Sequence, residues 1–333
     1  MRNHVRRAGL AALLALAFVA PACAADAPCR LPRIGQIVPR FDHGRILIPA
    51  RLNGTDVFFF FTNATDSWIR ADVADRLAMG HMHLPSDVFV FVGGSKRVPE
   101  RRTAELSVGG LYWHAFAFLP SPKGYSENPD VVGTIGGDAF LNADVDLEFN
   151  LAAGLINVIA HNDCAAPPWA NGAAPIAAVP GDDGVEFSVM LDGERLRAIV
   201  APALAQTQMP SSTARAHFGL VRDTEHEDPE VHGPATLIPH TFSALQLAGT
   251  TLTPLDVAIV RQYAPPRWSY APPVYPFWVE PLDLIWFDSS DPAPSFIESP
   301  SLVLLGVSDL RRLRLYFALR KRLLFAIPVA PAP

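Results

Sequence analysis

The sequence predicts an all-β protein made of two duplicated lobes. The first observation behind this is a repeat. Leu52-Asn53-Gly54 returns as Leu191-Asp192-Gly193, and Leu106-Ser107-Val108-Gly109-Gly110 returns as Leu245-Gln246-Leu247-Ala248-Gly249, each displaced by 139 residues. The second is a shared order. Each Leu-Asx-Gly turn leads into an apolar strand and a short loop, Thr62-Asn63-Ala64-Thr65 in one half and Ala201-Pro202-Ala203-Leu204 in the other. A later element then closes each half, Thr134-Ile135-Gly136 or Leu304-Leu305-Gly306. The third is composition. Thirty-two prolines, three lysines and a half-hydrophobic chain of 333 residues suit short strands, stiff loops and two cores.

Residues 1–24 read as a secretory signal peptide. Arg2, Arg6 and Arg7 precede an apolar run, Leu10 to Ala20, and Ala22-Cys23-Ala24 offers a small-x-small cleavage site. That run is shorter than the ~20 residues a membrane span needs, and no later stretch is long and apolar enough for one. Ala20-Pro21-Ala22-Cys23 also loosely resembles a lipobox, which leaves a lipid anchor on Cys23 open. Cys29 and Cys164 remain; in an oxidising compartment two cysteines pair, the alternative being two free thiols. Their bridge would tie a leader, 25–40, to the end of the first lobe. A loop of this length is worth ~4–5 kcal/mol in the chain-entropy view.

Lobe one spans 41–161. Ile46 to Pro49 and Val57 to Phe61 flank the Asn53-Gly54 hairpin turn. Four consecutive phenylalanines, 58 to 61, require a strand covered on both faces. Ala71 to Met79 reads as a short helix. Val88 to Val92 runs into Gly93-Gly94 as a second hairpin, and Ala104 to Leu119 supplies two more strands. Val145 to Phe149 pairs with Leu155 to Ile159 across a turn at Ala152-Ala153-Gly154. Residues 162–184, rich in Ala, Pro and Gly, read as a linker, and lobe two occupies 185–328 before a tail, 329–333. Trp113 to Gly136 is 23 residues, whereas Leu252 to Gly306 is 54, so lobe two carries about 31 more. They fall within 262–298, a Pro- and aromatic-rich insert that cannot be helical. It folds against its own lobe or over the interlobe cleft, or it offers a contact surface for a protein partner.

Turn, apolar strand, tight loop, hairpin and late apolar-apolar-Gly, in that order, resemble the pepsin/retropepsin-like aspartic proteases in their bacterial exported two-lobe form. The resemblance covers roughly residues 40 to 328. It implies two acid-protease-like β-barrel lobes with an interlobe cleft, a flap at the Gly93-Gly94 hairpin, and a catalytic Asp-Thr/Ser-Gly loop eight residues after each turn glycine. Here those positions are Thr62 and Ala201, or Phe61 and Val200 if the register slips by one. Neither register has a carboxylate. Aspartic proteolysis needs two carboxyls sharing one proton over one water. An alcohol is too weak an acid for that role, Ala201 has no functional group, and Pro202 lacks the backbone N–H.

Asp66 lies beyond the first loop, and in the family's loop shape it points away from the dyad. Asp288, in Phe287-Asp288-Ser289-Ser290, stands in the wrong part of its lobe. Asp144 and Asp146 read as solvated strand residues. Pro210-Ser211-Ser212 lacks a nucleophile elbow. His81 and His83 share a strand face but have no third ligand nearby. Asn53-Gly54-Thr55 and Asn63-Ala64-Thr65 match the glycosylation sequon. No metal, cofactor or phosphate-cradling loop is expected. A net charge of −6 and a pI of about 5.9 give no nucleic-acid surface.

The expectation is therefore an exported pseudoprotease, periplasmic or secreted and monomeric, with no catalytic residues. It would bind an extended peptide or an envelope protein at Thr62, Asn63, Ala64, Ala201, Pro202 and Ala203, under Gly93 and Gly94. The alternatives are an aspartic-type endopeptidase working through displaced carboxylates, and an interaction protein working through the 262–298 insert.

Overall fold

The computed structural model describes residues 29–63, 66–83, 90–92, 95–97, 100–121, 128–141, 143–170, 172–181, 184–220, 236–261 and 302–329. The signal segment with Cys23, the 262–298 insert, Asp288, Ala64, Gly93, Gly94 and most of the tail lie outside these residues.

Strands dominate. The first half runs β1 (Arg33–Ile37), β2 (Arg40–Asp42), β3 (Arg45–Leu52), β4 (Thr55–Phe61), β5 (Trp68–Arg70), α1 (Ala71–Arg76), β6 (Gly80–His83), β7 (Val90–Val92), β8 (Ser95–Arg97), β9 (Glu100–Val108), β10 (Leu111–Ser121), β11 (Val131–Ile135), α2 (Asp138–Leu141), β12 (Val145–Asn150) and β13 (Leu155–Ala160). The second half runs β14 (Ile176–Gly181), β15 (Gly184–Leu191), β16 (Glu194–Val200), β17 (Thr207–Pro210), α3 (Ser211–Phe218), β18 (Thr236–Phe242), β19 (Leu245–Leu247), β20 (Thr250–Leu252), β21 (Leu255–Arg261), β22 (Leu302–Leu305), α4 (Val307–Leu310), β23 (Leu313–Ala318) and β24 (Leu323–Pro328). The all-β class holds. The stretch read as a linker contributes β14, and the leader contributes β1. Among the described residues no helix is long and apolar enough to cross a membrane.

In the first half β3, β4, β11, β5, β10 and β9 close into a six-strand barrel, because β9 returns to β3 with Leu52 opposite Leu106. The turn between β3 and β4 has both central residues left-handed, Asn53 at φ 45° and Gly54 at φ 79°, as a two-residue hairpin requires. The Asn53 side chain adds what a second glycine could not. Its Oδ1 accepts the Glu105 N–H at 2.9 Å and its Nδ2 donates to the Leu77 carbonyl at 3.1 Å, pinning the turn to β9 and to the end of α1. The run of four phenylalanines divides between two faces. Phe59 and Phe61 enter the barrel core, Phe59 stacking on Phe118 with centroids 5.6 Å apart. Phe58 and Phe60 face out with Leu47 and Val131, and guanidinium groups cover them, Arg40 4.5 Å over Phe58 and Arg45 3.9 Å over Phe60.

The pairings of the second half repeat those of the first at fixed displacements. β3 with β4 sets Leu47 opposite Phe60, and β15 with β16 sets Glu186 opposite Ile199, a shift of 139 on both sides. β11 with β4 sets Ile135 opposite Phe61, and β22 with β16 sets Leu305 opposite Val200. The displacement grows from 139 to 170 between β21 and β22, the 31 extra residues of the sequence reading. One difference is local. β18 and β19 stand where β9 is continuous, because Asp192 takes the Ser243 and Ala244 N–H groups on its carboxylate. β20 and β21 are separated at Pro254, which has no N–H for the ladder. These strands belong to one fourteen-strand sheet.

The six strands at one end of that sheet, in the order β1-β13-β12-β23-β24-β14, join the halves. β12 meets β23 with Leu147 opposite Phe317 and Phe149 opposite Leu315. Under a displacement of 168 these two pairs exchange, as in an isologous contact, and Glu148 opposite Tyr316 lies on the axis. A polar chain, buried at Asn157 and Glu148, crosses four strands here. Gln36 donates to Asn157 at 3.0 Å, Asn157 donates to Glu148 at 2.7 Å, and Arg314 donates to Glu148 at 2.6 Å. Trp169 stacks on the Arg314 guanidinium at 4.5 Å. Glu148→Ala leaves Arg314 and Asn157 half-buried without their acceptor. It is expected to cost about 3 kcal/mol, and Glu148→Met with Arg314→Met clearly less; chemical denaturation of the two variants checks this.

Candidate functional site

The loops after β4 and β16 hold the residues that the sequence singles out. Both leave their strands on the same rung. The Thr62 N–H donates to the Ile135 carbonyl at 3.0 Å and the Ala201 N–H donates to the Leu305 carbonyl at 2.9 Å. Thr62 is 4% exposed and Ala201 1%, the latter packed with Ile199, Leu204, Leu302 and Leu304.

Each loop is touched by the residues that open the other half's first long strand. The Ile46 N–H at the start of β3 donates to the Pro202 carbonyl at 3.0 Å, and a Cβ on Gly44 would stand 2.7 Å from the Ala205 Cβ. Gly184, at the start of β15, has φ +114°, and a Cβ there would stand 2.7 Å from the Asn63 carbonyl oxygen. Thr62, Asn63, Ala201, Pro202 and Ala203 therefore lie along the seam between the halves.

The loops differ in length, which a constant displacement of 139 does not reveal. Trp68 pairs with Thr134, and Gln208 pairs with Leu304, so Ser67 corresponds to Thr207 at a displacement of 140. Five steps separate Thr62 from Ser67 and six separate Ala201 from Thr207. The first loop is one residue short. Counted back from Ser67 and Thr207 by six, the paired positions are Phe61 and Ala201, and no carboxyl stands at either.

Ser67 and Thr207 anchor the far ends of the loops in matching ways. The Ser67 hydroxyl donates to Asp138 Oδ1 at 2.5 Å, its N–H donates to Oδ2 at 3.0 Å, and its oxygen accepts the Gly136 N–H at 2.9 Å. The Thr207 hydroxyl donates to Asp309 at 2.6 Å and accepts the Gly306 N–H at 3.1 Å. In the second half Arg312 also reaches Asp309, at 3.1 Å. In the first half Asp66, itself paired with Arg101 at 3.1 Å, bears on Asp138. Burial lifts the Asp138 carboxyl to about 6. The negative charge of Asp66 pushes the same way, and the two Ser67 hydrogen bonds oppose it. Burial also raises Asp66, against the pull of Arg101. The sequence alone does not find these clasps, because Ser67 and Asp138 are 71 residues apart. A matching hydroxyl at Ser67 and Thr207, and an aspartate shortly after each late glycine, are the traces they leave.

The other candidates fall as follows. Asp66 is held by Arg101 on β9. Asp144 is exposed, with Arg320 3.8 Å away. Asp146 is not solvated as expected from its alternating strand. It is 2% exposed and accepts from the Tyr316 hydroxyl at 2.6 Å and the Leu319 N–H at 2.9 Å. Burial raises its carboxyl, against those two bonds, because Ala166, Trp169, Ala170 and Ala173 cover the face that alternation assigned to water. His81 lies on β6, its Nε2 2.8 Å from the Arg102 guanidinium. Among the described residues no three His, Cys, Asp or Glu side chains are grouped to hold a metal. Ser211 and Ser212 open α3. The second hairpin is present as β7 paired with β8, Val92 opposite Ser95, with its tip at Gly93-Gly94 outside the described residues. Cys29 and Cys164 are bonded, their Cα atoms 5.8 Å apart.

No protein-family model matches the chain, and no curated protein matches it.

Because burial lifts Asp138, the folded chain keeps that proton where an unfolded chain has released it. The contribution is complete below about pH 3.8 and is lost as pH rises through about 6. The melting temperature is expected to fall between pH 4 and 7 and to fall less steeply in Asp138→Asn, as a pH series of thermal melts reads directly. Gly184→Ala forces a side chain into a left-handed position against the Asn63 carbonyl and is expected to cost at least 2 kcal/mol. Gly193→Ala, at φ +92° with open space around it, is expected to cost about 1–2 kcal/mol; comparing the two by denaturation isolates the seam contact.

Proposed function

We propose that this chain is an exported, two-lobed protein on the aspartic-protease-like plan that binds an extended peptide or an envelope protein without hydrolysing it. The observation that carries the reading is the pair of seam loops. Thr62 and Ala201 leave their strands on equivalent rungs and open loops that meet the opposite half through Asn63, Pro202 and Ala205, while neither position carries an acid. The repeated strand pairings support the duplication. The β7–β8 hairpin supports a covering ribbon. An extended ligand would bind by backbone pairing and alternate side-chain pockets, which requires no catalyst. The Cys29–Cys164 bridge fits an oxidising compartment.

Asp138, lifted to about 6, is the one observation that favours hydrolysis. Both of its oxygens accept from Ser67, and Asp309 makes an equivalent bond in the other half, so a structural clasp accounts for it. Incubation with a peptide library from pH 3 to 8, followed by mass spectrometry, is expected to return every peptide intact, with a subset retained by the protein. Cleavage that disappears in Asp66→Asn or Asp138→Asn would overturn the reading.

A further inference from the structure

One end of the central sheet carries charge opposite to that of the chain. Arg33 opens β1 beside Ile159, near the end of β13, and the β23–β24 turn at the same end carries Arg320, Lys321 and Arg322. The Lys321 Nζ donates to the Cys164 carbonyl at 2.6 Å, and the Arg30 carbonyl lies 3.9 Å from Cys164 Sγ, which places Arg30 there too. Arg30, Arg33, Arg320 and Arg322 are exposed and Lys321 is half-buried. Among the described residues, these five cations face Asp144 and Asp163 on the surface, Asp146 buried beneath, and Glu186, which stands opposite Val179 and pairs with Arg197 at 2.9 Å. Counted over those described residues, the end is net positive in a chain whose net charge is −6. Two apolar side chains flank the cations, Ile34 at 44% exposure and Val179 at 48%.

The chain outside the structure begins at this end. Cys29 is fixed here by its bond to Cys164. The apolar run Leu10 to Ala20 ends nine residues earlier, which is at most about 30 Å of extended chain. While that run is still attached, the bilayer that receives it lies within that distance of this end.

We infer that the cationic end around Arg33, Arg320 and Arg322 docks on an anionic phospholipid surface. Guanidinium groups near such a surface are attracted to lipid phosphates over about a Debye length, and exposed Ile34 and Val179 suit the headgroup boundary. This inference shares only the export reading with the proposed function, and the seam plays no part in it.

The test is flotation of the full chain with vesicles of phosphatidylcholine alone and with vesicles one-third phosphatidylglycerol. The apolar run contributes alike to both, so the ratio between them reports charge. The ratio is expected to exceed one at low salt and to fall about tenfold or more in Arg33→Glu/Arg320→Glu/Arg322→Glu, with its thermal melt unchanged. Arg2→Glu/Arg6→Glu/Arg7→Glu measures the leader's share. A ratio that survives the first variant, or that vanishes entirely in the second, overturns the inference. Peptide retention by the same variants and cell fractionation are read separately, so failure of the seam or of export is visible apart from failure of the lipid contact.

Discussion

The antiparallel contact of β12 with β23 sets the position of everything else. It is the rung on which the two halves of the chain meet, and its register determines which face of each half looks at the other. A slip of β23 by one residue against β12 would turn Leu315 and Phe317 away from Leu147 and Phe149 and move Tyr316, which packs on the opposite face, among them. The polar chain from Gln36 to Arg314 works against that slip. Its members can satisfy one another only in this register, and a buried charge left without its partner is costly. The hydrophobic core supplies the drive for association, and the polar chain supplies the alignment. With the sheet aligned, β3 and β15 open where they can touch the opposite loop, and the seam follows.

Much of this was legible because the chain states it twice. Asn53-Gly54 and Asp192-Gly193 give the hairpins, and the constant displacement fixes which strands correspond. The run of four phenylalanines announced a doubly covered strand, although not that Arg40 and Arg45 would form one of the covers. What escaped had a common physical cause. Alternation reports that a strand has two faces but not whether a distant segment covers the second, so Asp146 read as solvated while Trp169, Ala170 and their neighbours bury it. The shorter first loop escaped because a turn glycine marks where a loop begins, whereas the hydroxyl clasp marks where it ends.

The clasps also explain how loops without catalytic acids can keep a defined shape. Ser67 and Thr207 each bridge an aspartate and a late glycine N–H, holding the loop ends independently of what stands at positions 62 and 201. The acidic group of unusual proton affinity, Asp138, belongs to this scaffold. Its burial makes the first half sensitive to pH. A defined loop shape here does not require acids at positions 62 and 201, and likeness of plan is not by itself evidence of activity.

The central claim is that the two seam loops form one site for an extended ligand. Hydrogen–deuterium exchange with and without a saturating retained peptide tests it most directly. The account predicts that protection rises together in the segments around 61–63, 200–204 and the β7–β8 hairpin. Protection confined to one half, or appearing only away from the seam, would contradict it.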